Sequence, residues 1–437
     1  MRRALLLLAI PVLARTGAAQ DTLDVDRLQA EALRADPRTA QRGLLRSATD
    51  LRLQVVGADR LPQLEINGQA THQSDVTRPR FGIPGVTVPD FPKDRWQTTL
   101  DLRQRLYDGG DVARRRELEE SRHAESEAAL DVALYQLRSE VNAAFFAAFL
   151  FEKRAAEYDA LVADLDARLA AVRARVEAGT ALGRDAAGIE AERVRAGLQR
   201  DEARASRRAA LAVLADLVGR TLDTSAVLVL PAVEPDLEEA AGLTAVGALR
   251  RRPEFVQLQR SRDRLDREIA ATSAENRPRV YAFGQAGVGL PGLDQFRTSS
   301  DAFWQAGVQV EWRPWTWRSA GRKAAALRLQ QEIVRTEEAS LGRSLARAVA
   351  TDREDIARLR AALSDDERIV ALRAEVERQA RAQYDEGAIT TPDYVETRTD
   401  VLEARLTLER HRVELAQARA RYLTTLGITT PIPSDTP

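Results

Sequence analysis

Residues 302–314 read AFWQAGVQVEWRP, and the stretch alternates residue by residue. One row is Trp304, Ala306, Val308, Val310 and Trp312; the other is Phe303, Gln305, Gly307, Gln309 and Glu311. A period of two is the signature of a strand. An apolar row closed at both ends by indoles, opposite a largely polar row, suits a strand that separates lipid from water. The indoles then sit at the two membrane interfaces. Eight residue steps of about 3.3 Å give a rise of roughly 26 Å, shortened by tilt.

Three more segments alternate in this way: QLEINGQATHQS, RWQTTLDLRQRLY and RVYAFGQAGVGL. Leu64 and Ile66 interleave with Glu65 and Asn67, and Trp96, Thr98, Leu100 and Leu102 with Gln97, Thr99 and Asp101. In RVYAFGQAGVGL the outward row is Val280, Ala282, Ala286 and Val288; Tyr281, Phe283 and Gln285 face inward. A half-buried soluble sheet alternates in the same manner. The paired Trp residues, the complete lack of Cys and the N-terminus favour the membrane.

That N-terminus, MRRALLLLAIPVLARTGAAQ, places Arg2 and Arg3 before an apolar run and then small residues ending at Ala18 and Ala19. The layout is that of a secretory signal peptide over residues 1–19, removed on export. The run from Ala4 to Ala14 is too short to span a bilayer. With no Cys in the chain, an N-terminal cysteine lipid anchor is excluded.

The chain is built twice. PQLEINGQA (Pro62–Ala70) returns as PRVYAFGQA (Pro278–Ala286), 216 residues later. Gly179 and Asp185 return as Gly387 and Asp393, and Gly219 as Gly427, at an offset of 208. Each copy reads helix, strand, loop, strand, long helix, break, helix. The expected segments are 20–61 (helix), 62–106 (first strand pair), 107–220 (first helical hairpin) and 221–245 (connector). The second copy follows as 246–277 (helix), 278–314 (second strand pair), 315–427 (second hairpin) and a tail, 428–437. The long helices, about 111–178 and 319–386, carry apolar residues in steps of three and four, such as Leu161, Leu165, Leu169, Val172 and Val176. This is a coiled-coil seam with charge elsewhere.

The breaks have their own chemistry. In QYDEGAITTPDYVE (Gln383–Glu396), Gly387 takes positive φ after one helix, Thr391 caps the next, and Pro392 opens it. Asp393 in the first turn favours the N-terminal dipole. RVEAGTALGRDAAG (Arg175–Gly188) repeats the plan with Gly179 and Asp185.

Composition narrows the function further. Lys and Arg number 65 against 66 Asp and Glu, so no polycationic surface for nucleic acid is present. His72, His123 and His411 lack metal-ligand spacing, and His123 and His411 read as solvated helix residues. No phosphate-binding or dinucleotide motif occurs, and no nucleophile–base pair is legible, so neither enzyme chemistry nor a cofactor or metal is expected. Four strands cannot close around water, and open edges are intolerable in lipid. Other copies of the chain must pair those edges; three copies give twelve strands.

In these features the sequence resembles the TolC-type outer-membrane efflux ducts. The resemblance spans essentially the whole chain beyond the leader. It rests on the tandem plan, RLPQLEINGQA, LYDGGDVARRR, AFFAAFLFEKRAAEYDAL, the Gly-x5-Asp breaks and the terminal LVG and TLG. It implies a homotrimer in the outer membrane of a Gram-negative-type cell. A twelve-stranded transmembrane β-barrel would continue into an α-helical coiled-coil tunnel across the periplasm. It further implies docking with a periplasmic adaptor and an inner-membrane efflux pump, passive transport, and outer-membrane lipid around the barrel. By the same resemblance Tyr384, Asp393 and Glu396 constrict the periplasmic entrance and Asp185 helps tie neighbouring helices. Gly179, Gly387, Thr391 and Pro392 form the tips that meet the adaptor. The chain departs from the family at Ile389, where a basic residue would supply the closing salt bridge; Arg184 and Arg398 are the substitutes at hand. The other readings are a periplasmic adaptor, which needs a β-rich domain split around one hairpin, and a soluble coiled-coil scaffold, which needs neither strands nor leader.

Overall fold

The computed structural model describes residues 22–76, 92–231, 247, 249–294 and 299–428. The expected leader, most of the first inter-strand loop and much of the connector lie outside the described residues. The chain divides into two compact units. A sheet unit comprises Ala40–Ala133 and Arg250–Ser344; a helix unit comprises Met1–Thr39, Leu134–Leu249 and Leu345–Pro437.

The sheet unit holds β2 (Gln63–His72), β3 (Asp94–Tyr107), β5 (Arg279–Leu290) and β6 (Asp301–Glu311), with β1 (Thr22–Asp24) and β4 (Val227–Val229) in the other unit. The order is β2-β3-β5-β6, antiparallel throughout, so both copies contribute one hairpin each and meet at β3 and β5. Among the described residues β2 and β6 are each paired on one side only. Register decides the faces. Ile66 opposes Leu100, Leu100 opposes Ala286, and Ala286 opposes Trp304, so one face carries an unbroken apolar row. Val280, Ala282 and Val288 lie on this face with Val308 and Val310. It is bare in the single chain: Ile66 is 75% exposed and Trp304 76%. Such exposure of large apolar side chains marks a surface meant for something other than water.

The opposite face is polar and knitted together. Asp101 accepts hydrogen bonds from Asn67 at 2.8 Å, Thr99 at 2.8 Å and Gln285 at 2.5 Å, and Gln305 donates to Gln285 at 2.5 Å. One carboxylate therefore links β2, β3 and β5, and Gln285 carries the network on to β6. Tyr281 is buried beneath the Arg103 guanidinium, which stands 3.9 Å from the ring centroid. The inward aromatics that disturb the alternation of β5 thus have a job: Phe283 lies across Gly307, and Phe303 across Gly287, on the neighbouring strands. Helices α2 (Gln41–Ala58) and α5 (Pro253–Ala274) belong to the same unit.

The long helices are α3 (Asp111–Glu177) and α6 (Ser319–Asp385), 67 residues each, with neither containing Pro. Each is followed by a helix of 36 residues, α4 (Gly183–Val218) and α7 (Thr391–Leu426). Among the described residues no helix is long and apolar enough to cross a membrane. In the helix unit the AFFAAFLF run of α3 becomes the centre of one core. Phe145, Phe146 and Phe149 pack with Leu211 and Leu214 of α4, Val413 and Ala416 of α7, and Leu28 of α1 (Val25–Ala35). β1 (Thr22–Asp24) pairs in parallel with β4 (Val227–Val229), which brings the first described residues against the connector. A short polar chain threads this core: Arg138 donates to Gln29, and Gln29 to Asn142 at 2.6 Å. Burial lowers the Arg138 pKa from its ordinary value.

Candidate functional site

Both breaks end their long helix by the same device. Thr180 N donates to Arg175 O at 2.8 Å and Gly179 N to Val176 O at 3.0 Å. Ala388 N and Gly387 N repeat this with Gln383 O and Tyr384 O, at 2.8 and 3.0 Å. This paired bonding requires a left-handed residue, and Gly179 (φ 72°) and Gly387 (φ 77°) supply it. A β-carbon at either would meet nothing within 4 Å, so the backbone angle alone demands glycine.

The next helix starts one residue earlier than expected. Thr390, with extended backbone, is the N-cap of α7, and Thr391 and Pro392 are already helical. Asp393 accepts from Thr390 N at 3.1 Å and from its hydroxyl at 2.6 Å. These hydrogen bonds hold the Asp393 carboxyl below the ordinary carboxylate range. Thr391 is corrected from cap to packing residue: it is 4% exposed, with its methyl against Gly188 of α4 and its hydroxyl sharing a 3.3 Å hydrogen bond with Tyr384. A threonine whose hydroxyl is engaged inward leaves the cap to its neighbour. In the first copy Leu182 stands at the N-cap, and only half a capping box forms, from Leu182 N to Asp185 at 3.2 Å.

Tyr384 and Tyr394 stack with centroids 5.0 Å apart and planes 20° from parallel. They complete a cluster with Leu161, Leu165, Leu169 and Val172 of α3 and Ile189 of α4. Ile389 packs half-buried against the same cluster, which is the physical use of an apolar residue at that position. Around the tyrosines runs a polar ring. The Arg168 guanidinium lies 4.2 Å from the Tyr394 centroid and donates to Asp164 at 3.1 Å. Arg398 forms an ion pair with Asp164 at 3.2 Å and approaches Glu377 at 4.0 Å. The Tyr394 hydroxyl donates to Glu377 at 3.3 Å. Burial, reinforced by the carboxylates of Asp164 and Glu377, pushes the phenol well above its ordinary range, so it remains a donor at neutral pH.

The structure therefore brings Tyr384, Thr391 and Asp393 together at one tip, with Pro392 and Glu396 exposed beside them. Gly179 and Asp185 sit at the other tip. Of the two arginines weighed as substitutes, Arg398 is engaged with Asp164 and Arg184 is exposed. Sequence reading missed Tyr394, Arg168, Asp164 and Glu377. Tyr394 is legible in hindsight as the aromatic in the first turn after the cap; the α3 pair has no local signal, being joined to it only by packing. His123 and His411 are also corrected. Both are mostly covered, at 19% and 18% side-chain exposure, and His411 bonds Asp366 at 2.5 Å. Of the three interfacial indoles, Trp96 and Trp304 lie on the apolar face of the sheet. Trp312 follows β6 directly, and its indole N–H donates to Asn276 O at 3.2 Å.

Residues 28–220, the greater part of the first copy, match the family of outer membrane efflux proteins. No curated protein sequence matches the chain. Solved structures do. The structure of CusC, described in connection with transmembrane channel formation, superposes with a TM-score of 0.68 at 17% identity, covering 92% of each chain. The outer membrane protein VceC of Vibrio cholerae gives 0.66 at 16% identity over 92% of this chain and 96% of that one. The MtrE outer membrane channel of Neisseria gonorrhoeae, in its open state, gives 0.66 at 18% over 93% and 89%. At such identities the likeness establishes the fold, over nearly the whole chain. The outer-membrane efflux duct recognised in the residues is what the family match returns as well.

Proposed function

We propose, from the premise that this chain resembles outer-membrane efflux channels in family and fold, that it is the outer-membrane duct of a tripartite efflux system. One observation carries the reading. A four-stranded sheet with a bare apolar face, a hydrogen-bonded polar face and two half-paired edges is stable in lipid only when closed on itself. Three copies joined β6 to β2 give twelve strands around a polar lumen. The apolar face then meets the outer-membrane lipid, and the helix unit lies in the periplasm. There its tips, with Gly179, Gly387, Thr391 and Pro392, receive a periplasmic adaptor linked to an inner-membrane pump. The duct supplies a path and no chemistry; the pump supplies the energy.

In this assembly Asp393 and Glu396 of three copies form a ring of carboxylates at the entrance, with Tyr384 and Asp185 holding the surrounding helices. Asp393 suits the role because its hydrogen bonds keep it ionised, and an ionised ring attracts cations. The test is electrical. The mature protein, run unheated in SDS, migrates as an oligomer, and in planar bilayers it conducts with block by divalent cations. Replacing Asp393 and Glu396 by Ala relieves that block. Unchanged block removes the ring, and a detergent-independent monomer removes the duct.

A further inference from the structure

The two copies enter their long helices through turns that correspond at the 208-residue offset, and those turns solve one backbone problem with opposite chemistry. Ahead of α3 the left-handed pair is Gly109 and Gly110, φ 66° and 86°. Ahead of α6 it is Trp317 and Arg318, φ 53° and 58°. A side chain in this region crowds its own carbonyl, and bulky residues rarely adopt it. The second copy keeps two of the largest side chains where the first uses none.

What these side chains face is legible from their surroundings. Trp315 and Trp317 are 74% and 78% exposed and stack edge to face at 5.9 Å. They lie just beyond Trp312, where the chain has left β6 and not yet entered α6. Arg318 is exposed, as are Arg313 and Arg322. Charge sharpens the contrast. Residues 312–331 contain five cations, Arg313, Arg318, Arg322, Lys323 and Arg328, and no acid. The matching residues 104–123 contain five Arg balanced by two Asp and three Glu. Arg313 is paired with Glu311 at 3.0 Å and Lys323 with Glu275 at 2.9 Å, so Arg318 is the exposed cation that stands beside the two indoles. Exposed indoles with an adjoining guanidinium, at the end of a lipid-facing strand, are complementary to an anionic headgroup layer. The indole ring belongs at the headgroup level, and nearby Arg and Lys attract acidic lipid.

We infer that the Trp312–Lys323 turn is a phospholipid-headgroup site: Trp315 and Trp317 seat in the periplasmic leaflet, and Arg318 binds the phosphate of an anionic lipid. The inference rests on the outer-membrane reading. Strain at Trp317 and Arg318 is retained because the left-handed backbone presents the indole and the guanidinium side by side at the membrane edge. Each copy in an oligomer then carries one such site, from its second repeat alone.

The full-length protein is placed in nanodiscs of phosphatidylglycerol or phosphatidylcholine, and native mass spectrometry counts the phosphatidylglycerol it retains. Two variants are compared. Arg318→Gln lowers phosphatidylglycerol affinity about fivefold, the effect of one basic residue at a charged surface. Trp317→Gly with Arg318→Gly copies the relaxed turn of the first repeat. It is expected to fold, to keep its oligomer on heating, and to lose at least as much lipid preference. Unchanged retention in Arg318→Gln overturns the site even if the double variant misfolds. Loss of oligomer heat resistance with lipid retention intact also overturns it, because the turn then packs on a second copy. Wild-type protein that enters both bilayers without preference sinks this inference alone. Wild-type protein that enters neither sinks the outer-membrane reading with it.

Discussion

The two hairpin tips share a backbone and differ in almost every side chain that matters. Both use a left-handed glycine, a paired terminal hydrogen bond and an acid at the third helical position. At the 208-residue offset, however, Tyr384 corresponds to Val176, Tyr394 to Ala186, Thr390 to Leu182 and Arg398 to Glu190. The second tip is embedded: its tyrosines stack, and Arg168 and Asp164 of α3 fasten it. The first tip is comparatively bare, with Leu182 56% exposed. Duplication has kept what reverses the chain and changed what holds the reversal in place. The second tip is the one whose position is specified by long-range contacts.

The largest break in this comparison comes from Tyr394→Ala. The side chain is fully buried, and truncating a buried aromatic costs about 3–5 kcal/mol. Hydrogen exchange is expected to accelerate throughout the second tip while the first keeps its protection. The matching change in the first copy, Ala186→Gly, costs only about 1 kcal/mol of helix propensity. Equal loosening of both tips would show that the stack serves the whole unit rather than one hairpin.

The same contrast explains what was legible beforehand. Gly179, Gly387 and the acids six residues on are local signals, because helix termination and dipole complementation are decided by neighbouring backbone. The long helices were readable from their apolar steps, and the apolar face of the sheet from alternation; even the inward Tyr281 and Phe283 followed from the repeat register. The cap was misplaced by one residue because two threonines precede Pro392, and only packing against Tyr384 and Gly188 shows which of them turns inward. Arg168 and Asp164 were invisible for a different reason. They lie more than 200 residues from Tyr394 and Arg398, in a helix dense with similar charges, and nothing local distinguishes them. The half-buried His411 escaped notice in the same way, since its partner Asp366 is contributed by another helix.

A smaller test sharpens the difference between the caps. Thr390→Ala removes a side-chain cap and is expected to cost about 1 kcal/mol. Leu182→Ala removes a side chain that caps nothing and sits largely in solvent, so its effect stays within about 0.5 kcal/mol. Helicity of the two tips, followed by exchange of the amides in the first turn of α4 and α7, measures both. If Leu182→Ala proves the costlier change, the exposed leucine is covered in the assembly, and the first tip is the docked one.

The smallest effect is a titration. Asp393 carries its lowered pKa because the Thr390 hydroxyl and backbone N–H bond the ionised form. A carboxyl depressed in the folded state stabilises fully above its unfolded pKa, about 3.9, and loses that contribution as pH falls through the folded value. Acidification from neutrality to about pH 5 should therefore leave the second tip unchanged, and loosening should begin only below about pH 4. Exchange protection of the amides at the start of α7, corrected for the intrinsic pH dependence of exchange, reads this directly. Asp393→Asn keeps an acceptor but cannot titrate, so its profile is expected to be flat. A wild-type tip that loosens between pH 7 and pH 5 would show that a group other than Asp393 governs the reversal. The comparison of the tips would then have to be redrawn around the contacts of Arg398 with Glu377 and with Asp164 of α3.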